Sequence, residues 1–339
     1  LFSTTRAHTY VRCMPPTNAF VLARCDRAGR NLYLVSANNE PDYLPSVMND
    51  GRVVYTRWEY TDKPLWRAQG LWTVNPDGTQ VNTFWGNQSV CPDLLKDARS
   101  IPGSRRVMFT GSAHHNWFAG SVGIIDPDRG FNFPDGVTKV TADTAWPESG
   151  NGPSDPVESP RYHASGAFSG YYSPYPLSEK DFLVSAERGG RFVLYLMDVD
   201  GNRELIYEGA HNILHAMPLR PHTVPPVLAD RVSWPDPAKP DQPEAGALYS
   251  ANVYQGAPEE LRGKARFVRV MAIDPKTYTY WHKRPYISTG PVVSAVQSEG
   301  VKRVLGTVPV ASDGSLAFEA PPGKALHFQL LDERGRALQ

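Results

Sequence analysis

A chain of 339 residues with 41% hydrophobic and 21% charged residues can bury a sizeable core, has room for two domains, and is not disordered. Lysine plus arginine balances aspartate plus glutamate at 35 each, so no basic excess points to nucleic acid or an anionic membrane surface. No apolar run approaches the ~20 residues that span a bilayer. The 31 prolines and 28 glycines discourage long helices, and 16 tyrosines with eight tryptophans suit half-buried sheet faces, so the expected class is all-β.

The chain opens on a strand pattern, Leu1-Phe2-Ser3-Thr4-Thr5-Arg6, and closes on a hairpin pattern after Leu326. The expectation is an internal piece of a longer protein, with residues 1–38 forming the back half of a repeat unit. The next unit holds Pro45-Ser46-Val47-Met48-Asn49-Asp50-Gly51 and a strand–turn–strand pattern, Leu71-Trp72-Thr73-Val74-Asn75-Pro76-Asp77-Gly78-Thr79. That pattern returns as Leu194-Tyr195-Leu196-Met197-Asp198-Val199-Asp200-Gly201-Asn202, and more loosely as Val122-Gly123-Ile124-Ile125-Asp126-Pro127-Asp128-Arg129-Gly130. Asp-Gly tolerates the positive φ of tight hairpins, and repetition every several tens of residues is the signature of β-propeller blades. Three to four blades are legible, fewer than a closed ring usually needs, so the propeller is expected to be incomplete within this chain, with further blades upstream.

Residues 130–172, rich in Gly, Pro, Ser and Asp, read as a long insertion across one face. Eight prolines between Pro218 and Pro243 read as an extended linker. The expected organisation is blades over 1–225, linker over 226–245, and a smaller β-sandwich-like domain over 246–339. Within that domain Ala247–Tyr254, Ala265–Val270 and Leu316–Glu319 read as strands, and Pro258–Gly263 as at most one helical turn.

Of three cysteines, Cys13 and Cys25 admit a disulfide, worth ~3 kcal/mol by loop entropy in an oxidising compartment, or two separate thiols. Cys91 is the cysteine left over from that pairing, either a small buried side chain or a metal- or haem-edge residue. Among nine histidines, His114 and His115 are adjacent at a strand exit. Neighbours on a strand face opposite ways, so one metal takes both only where the backbone turns. His211 and His215 have the i, i+4 spacing of a helix-borne metal pair, but Gly209 and Pro218 oppose a helix there. There is no G-x-S-x-G, Walker A, dinucleotide, H-E-x-x-H or C-x-x-C-H motif, and the Asp-Gly carboxylates are explained by turns.

Leu44–Tyr60, the Leu71–Thr79 hairpin, Ala98–Ser104, Ala113-His114-His115 and Pro174–Glu179 resemble the TolB-like propeller of hydrazine synthase alpha-subunit-like proteins. Val301–Val310 followed by Asp313-Gly314-Ser315-Leu316-Ala317-Phe318 resembles that family's middle domain most specifically. The resemblance implies an extracytoplasmic (periplasmic or equivalent) multihaem c-type cytochrome-like oxidoreductase, with nitrogen-redox chemistry of the hydrazine synthase type. It implies haem c in the full-length protein, a possible metal ion, and other subunits or haem domains of a redox complex as partners. The attachment motif is absent from these residues, so no haem ligand carries over. Cys91, Arg99, His114 and His115 are the candidates to line a substrate approach. The alternative is a non-catalytic propeller scaffold that binds a protein or ligand; a carbohydrate-active propeller is weaker, for want of a carboxylate pair.

Overall fold

The computed structural model describes residues 1–11, 17–38, 40–59, 69–89, 91–113, 119–144, 146, 170–234, 236, 238–239, 244–274 and 302–338. The chain divides into two compact units: Leu1–Ala7, Ala19–Ser36 and Glu40–Val232 form the first, and His8–Asn18, Ala37–Asn39 and Ser233–Gln339 the second. No α-helix occurs among the described residues.

The first unit is a series of antiparallel meanders. β1 (Phe2–Thr4), β2 (Val21–Arg24) and β3 (Tyr33–Leu34) make a three-stranded sheet. Three four-stranded blades follow. Blade A is β4 (Asp42–Val47), β5 (Val53–Trp58), β6 (Gln69–Val74) and β7 (Asn82–Trp85). Blade B is β8 (Leu94–Ser100), β9 (Val107–Ser112), β10 (Gly120–Ile125) and β11 (Val137–Lys139). Blade C is β12 (Tyr171–Pro176), β13 (Asp181–Arg188), β14 (Arg191–Asp198) and β15 (Arg203–Tyr207). The first strands of the blades are neighbours, β8 lying beside both β4 and β12, which is the radial order of a β-propeller.

The sequence repeat is a turn repeat. In the Asn75–Thr79 turn, Asn75 N–H donates to Thr79 O at 2.9 Å and Gly78 N–H to Asn75 O at 2.9 Å, with Gly78 at φ +85°. Asp198–Asn202 and Met48–Arg52 close in the same way, with Gly201 at +91° and Gly51 at +86°.

Apolar residues from neighbouring blades fill the spaces between them. Val54, Leu71, Trp85, Leu95, Val107, Phe109 and Ile125 pack between A and B; Met108, Val122, Ile124, Phe182, Val184 and Met197 pack between B and C. The expected insertion over 130–172 is partly blade. Val137–Lys139 is the fourth strand of B, and Trp146 is buried against Phe109, its indole N–H donating to Ser121 O at 3.0 Å. Gly111 makes room, since a Cβ there would lie 2.6 Å from the Trp146 ring. Residues 147–169 lie outside the described residues.

The proline-rich stretch also differs from a free linker in its first half. After β15 the chain runs irregularly back along the blades. Ile213 N–H donates to Phe192 O, His215 N–H to Ser173 Oγ, and Arg220 to Leu177 O. Arg231 N–H then donates to Asp77 Oδ2 at 2.7 Å, while Asp230 holds Arg24 through two oxygens at 2.7 and 3.0 Å. Residues to Val232 therefore belong to the first unit.

In the second unit, β16 (Gly246–Ser250) pairs with β19 (Leu316–Ala320). A second sheet has the order β18 (Lys302–Pro309), β17 (Phe267–Ile273), β20 (Leu326–Leu331). A single 3₁₀ turn, Glu259–Leu261, precedes β17, and Asn252–Tyr254 lies in a turn, not in a continuation of β16. Phe318 meets Phe328 edge to face at 6.0 Å between the two sheets, the contact of a small sandwich.

Candidate functional site

The first strands of the three blades share one irregularity. Pairing slips between Tyr43 and Ser46 in β4, between Lys96 and Arg99 in β8, and between Tyr172 and Tyr175 in β12. The residue entering each bulge has a positive φ: Leu44 at +55°, Asp97 at +52°, Ser173 at +44°. A bulge breaks strand alternation and re-aims side chains, which is why bulges concentrate beside functional sites. Opposite the three positions before the bulge stand hydroxyls, Thr56, Thr110 and Ser185. Thr56 donates to Leu95 O in the next blade at 2.6 Å, whereas Thr110 Oγ1 and Ser185 Oγ have no hydrogen-bond partner.

In blade B the bulge carries charge. Lys96 has no exposed surface, and its Nζ stands 4.4 Å from the centre of the Tyr172 ring. Burial pushes its ammonium down to about 7, against the pull of Asp97 in the opposite direction. The Asp97 side chain is 6% exposed; His215 Nδ1 lies 4.0 Å from Oδ1, and Oδ2 has no hydrogen-bond partner. Burial raises the Asp97 carboxyl, opposed by Lys96, His215 and Arg99. Tyr43 donates to Gln69 Oε1 at 2.6 Å, and burial, then Asp42 and Asp97, holds its hydroxyl far above the ordinary phenol range. Burial and Asp97 raise Tyr172 likewise. His215 sits at φ +54° and meets the Tyr172 ring at 5.3 Å. Lys96, Asp97, Tyr43 and Tyr172 on the inner strands and His215 on the returning segment thus form one polar cluster, in which Lys96, Asp97 and the two tyrosines are displaced from their usual ranges as at acid–base sites.

Of the residues singled out from sequence, Arg99 lies at the edge of this cluster, its guanidinium 5.2 Å from the Tyr175 ring. Cys91 is a buried thiol in the core between A and B. Cys25 is a free, half-buried thiol, and Cys13 lies outside the described residues. His114 and His115 also lie outside them. His211 and His215 are on an irregular segment, not a helix, and only His215 reaches the cluster. Sequence reasoning missed Lys96 and Asp97. The available signal was the unaligned repeat Tyr43-Leu44-Pro45, Lys96-Asp97-Ala98, Tyr172-Ser173-Pro174.

Two other features are polar and satisfied, or apolar. Tyr171 donates to Asp143 and accepts from Arg203 Nη1 at 2.8 Å beside a 320 Å³ cavity; burial, then Asp143, pushes its hydroxyl up to about 12. In the second unit a 370 Å³ cleft opens between the two sheets, lined by Leu248, Val268, Phe318, Phe328 and Leu330. Among the described residues no three His, Cys, Asp or Glu side chains are placed to hold a metal ion, and no helix is long and apolar enough to cross a membrane.

Residues 263–339 match the family model described as the hydrazine synthase alpha subunit middle domain. Among solved structures, a hydrazine synthase from Kuenenia stuttgartiensis is similar over 98% of this chain and 48% of that one, at 15% identity and a TM-score of 0.64. This chain therefore spans about half the length of that relative. TolB from Acinetobacter baumannii is similar over 60% of this chain and 41% of that one, at 13% identity and a TM-score of 0.35. No curated protein sequence matches. The resemblance read from the tail is borne out: this chain carries the sequence pattern of a hydrazine synthase alpha middle domain at its C-terminal end and has, over nearly its whole length, the fold of half of a hydrazine synthase chain.

Proposed function

We propose that this chain is the propeller and middle-domain portion of an extracytoplasmic multihaem c-type cytochrome-like oxidoreductase, with nitrogen-redox chemistry of the hydrazine synthase type. The observation that carries the reading is the middle-domain match over 263–339, in a chain that shares a hydrazine synthase fold over 98% of its length. On this reading the partners are haem domains or other subunits of a redox complex. The residues present do not fit covalent haem attachment, because no C-x-x-C-H occurs in the sequence. The haem chemistry is then supplied from outside these residues. This chain contributes a wall whose inner strands bring a lysine, an aspartate and two tyrosines to one place, with a histidine from the returning segment.

The test is a reduced-minus-oxidised visible spectrum of the protein purified from its source. Sharp c-type α and Soret bands are expected. A featureless spectrum overturns the redox reading and leaves a propeller scaffold whose binding partner is sought by pull-down.

A further inference from the structure

The three blades supply an internal comparison for the pair Lys96–Asp97. Before the bulge the flanking blades carry Tyr43 and Tyr172, and at the bulge Leu44 and Ser173. All three strands make the same slip with the same positive φ, so the fold does not call for a lysine or an acid at either position. Two ionisable groups are nonetheless buried there, where desolvation opposes both charges. The Asp97 carboxylate also leaves Oδ2 without a hydrogen-bond partner, although buried polar atoms are nearly always paired. A fold that retains two unrequired buried ionisable groups with an unmet acceptor has the marks of a site.

We propose that Lys96 and Asp97 form a proton-exchanging site on the inner strand of blade B for a small protic ligand, one that donates an N–H or O–H to Asp97 Oδ2. In the forward step the ligand's N–H or O–H bond breaks and its proton passes by way of the Asp97 carboxylate to Lys96 Nζ. Neutral amine becomes ammonium, the ligand becomes its conjugate base, and the Asp97 carboxylate balances the new cation; the reverse step returns the proton. Around the pair stand Tyr43 from β4 (itself beside Asp42), Arg99 from β8, Tyr172 from β12 and His215 from the returning segment. The His215 side chain, 46% exposed, is the member of the cluster that meets solvent. The site does not depend on haem, and a featureless visible spectrum leaves it standing.

The experiment is pulsed acetylation of the native protein with acetic anhydride across pH 5.5 to 10, read at the Lys96 peptide by mass spectrometry. Lys96 is expected to react with a midpoint near pH 7, while the exposed Lys180, which its pairing with Asp200 holds above the ordinary lysine range, reacts appreciably only at the alkaline end of the series. Asp97→Asn is expected to move the Lys96 midpoint lower still, because the carboxylate is what holds the ammonium up. The double change Lys96→Tyr/Asp97→Ser installs the residues of blade C and is expected to leave the melting temperature unchanged or raised. An unreactive Lys96 at every pH, or a midpoint near that of Lys180, overturns the proposal. So does a fall of more than about 8 °C in the double variant, which would make the pair a structural ion pair.

Discussion

Replacing Asp77 by alanine should release the segment that returns along the blades. Asp77 is 5% exposed and accepts three hydrogen bonds: Thr79 N–H at 2.9 Å, Thr79 Oγ1–H at 2.6 Å and Arg231 N–H at 2.7 Å, the last across 154 positions of sequence. Hydrogen bonds to a charged group contribute about 1.5–3 kcal/mol each, but the two to Thr79 are local and re-form partly with water. The expected loss is therefore about 2–3 kcal/mol, or roughly 3–4 °C in melting temperature for a chain of 339 residues. Burial alone would raise the Asp77 carboxyl, but the bonds from Thr79 and Arg231 outweigh it and hold it below the usual carboxylate range. Its contribution is thus fully present above the unfolded value of about 3.9 and is lost as pH falls below that through the depressed folded value. Asp77→Asn should flatten that acid limb while keeping one acceptor. The assay is thermal unfolding by circular dichroism with amide exchange at Arg231. If Asp77→Ala leaves the Arg231 amide protected and the midpoint unchanged, the segment is held by something other than this carboxylate and the reasoning fails.

Two further substitutions test the blade packing. Thr56→Val removes the 2.6 Å bond to Leu95 O across the A–B junction and should cost about 1 kcal/mol, whereas Ser185→Ala, at the equivalent place in blade C, removes a hydroxyl with no partner and should be neutral or stabilising in urea titrations. Arg57 grips the fully buried Asp42 through Nε and Nη2, both at 2.8 Å, with its guanidinium 4.9 Å from the Trp72 ring. Arg57→Met should cost about 3–5 kcal/mol because it leaves Asp42 buried without its guanidinium. Asp42→Leu with Arg57→Met should recover most of that loss in the same unfolding assay; equal midpoints for the single and double variants would show that charge burial is not the cause.

The outer half of each blade was legible because turns are written locally. Asp77-Gly78 and Asp200-Gly201 need a positive φ at glycine, and that need is visible in a five-residue window. The bridge of Gly120 to Tyr171, which joins blades B and C, spans a stretch whose composition looks like loop, and so Val137–Lys139 and Trp146 were hidden in an apparent insertion. The returning segment was read as a spacer because its prolines forbid regular structure. Prolines do not forbid anchoring, and here the anchors are backbone N–H groups and one Asp–Arg pair far apart in sequence. In the second unit the patterns over Ala265–Val270 and Leu316–Glu319 are local, and β17 and β19 fall on them, whereas the pattern over Ala247–Tyr254 runs past the end of β16 into a turn.

The inner strands were the harder half, and the reason is physical. A bulge residue with φ near +50° is ordinarily glycine, asparagine or aspartate, and here only Asp97 is of that kind beside leucine and serine, so no shared residue preference announces it. The conformation is imposed by the tertiary need to turn one side chain of each first strand at the blade junction, a need that propensity cannot encode. What the sequence does hold is a threefold correspondence in which two members are Tyr-x-Pro and the third is Lys-Asp-Ala. Once the strands are superposed, the exception is the informative member. Tyrosine at this place fills space and keeps its hydroxyl paired, as Tyr43 does with Gln69. Lysine fills the same space with a stem but ends in an amine that water no longer reaches, next to an acid in the same condition. Stability alone favours the tyrosine, so the lysine is where this propeller departs from scaffold and where its chemistry is to be tested.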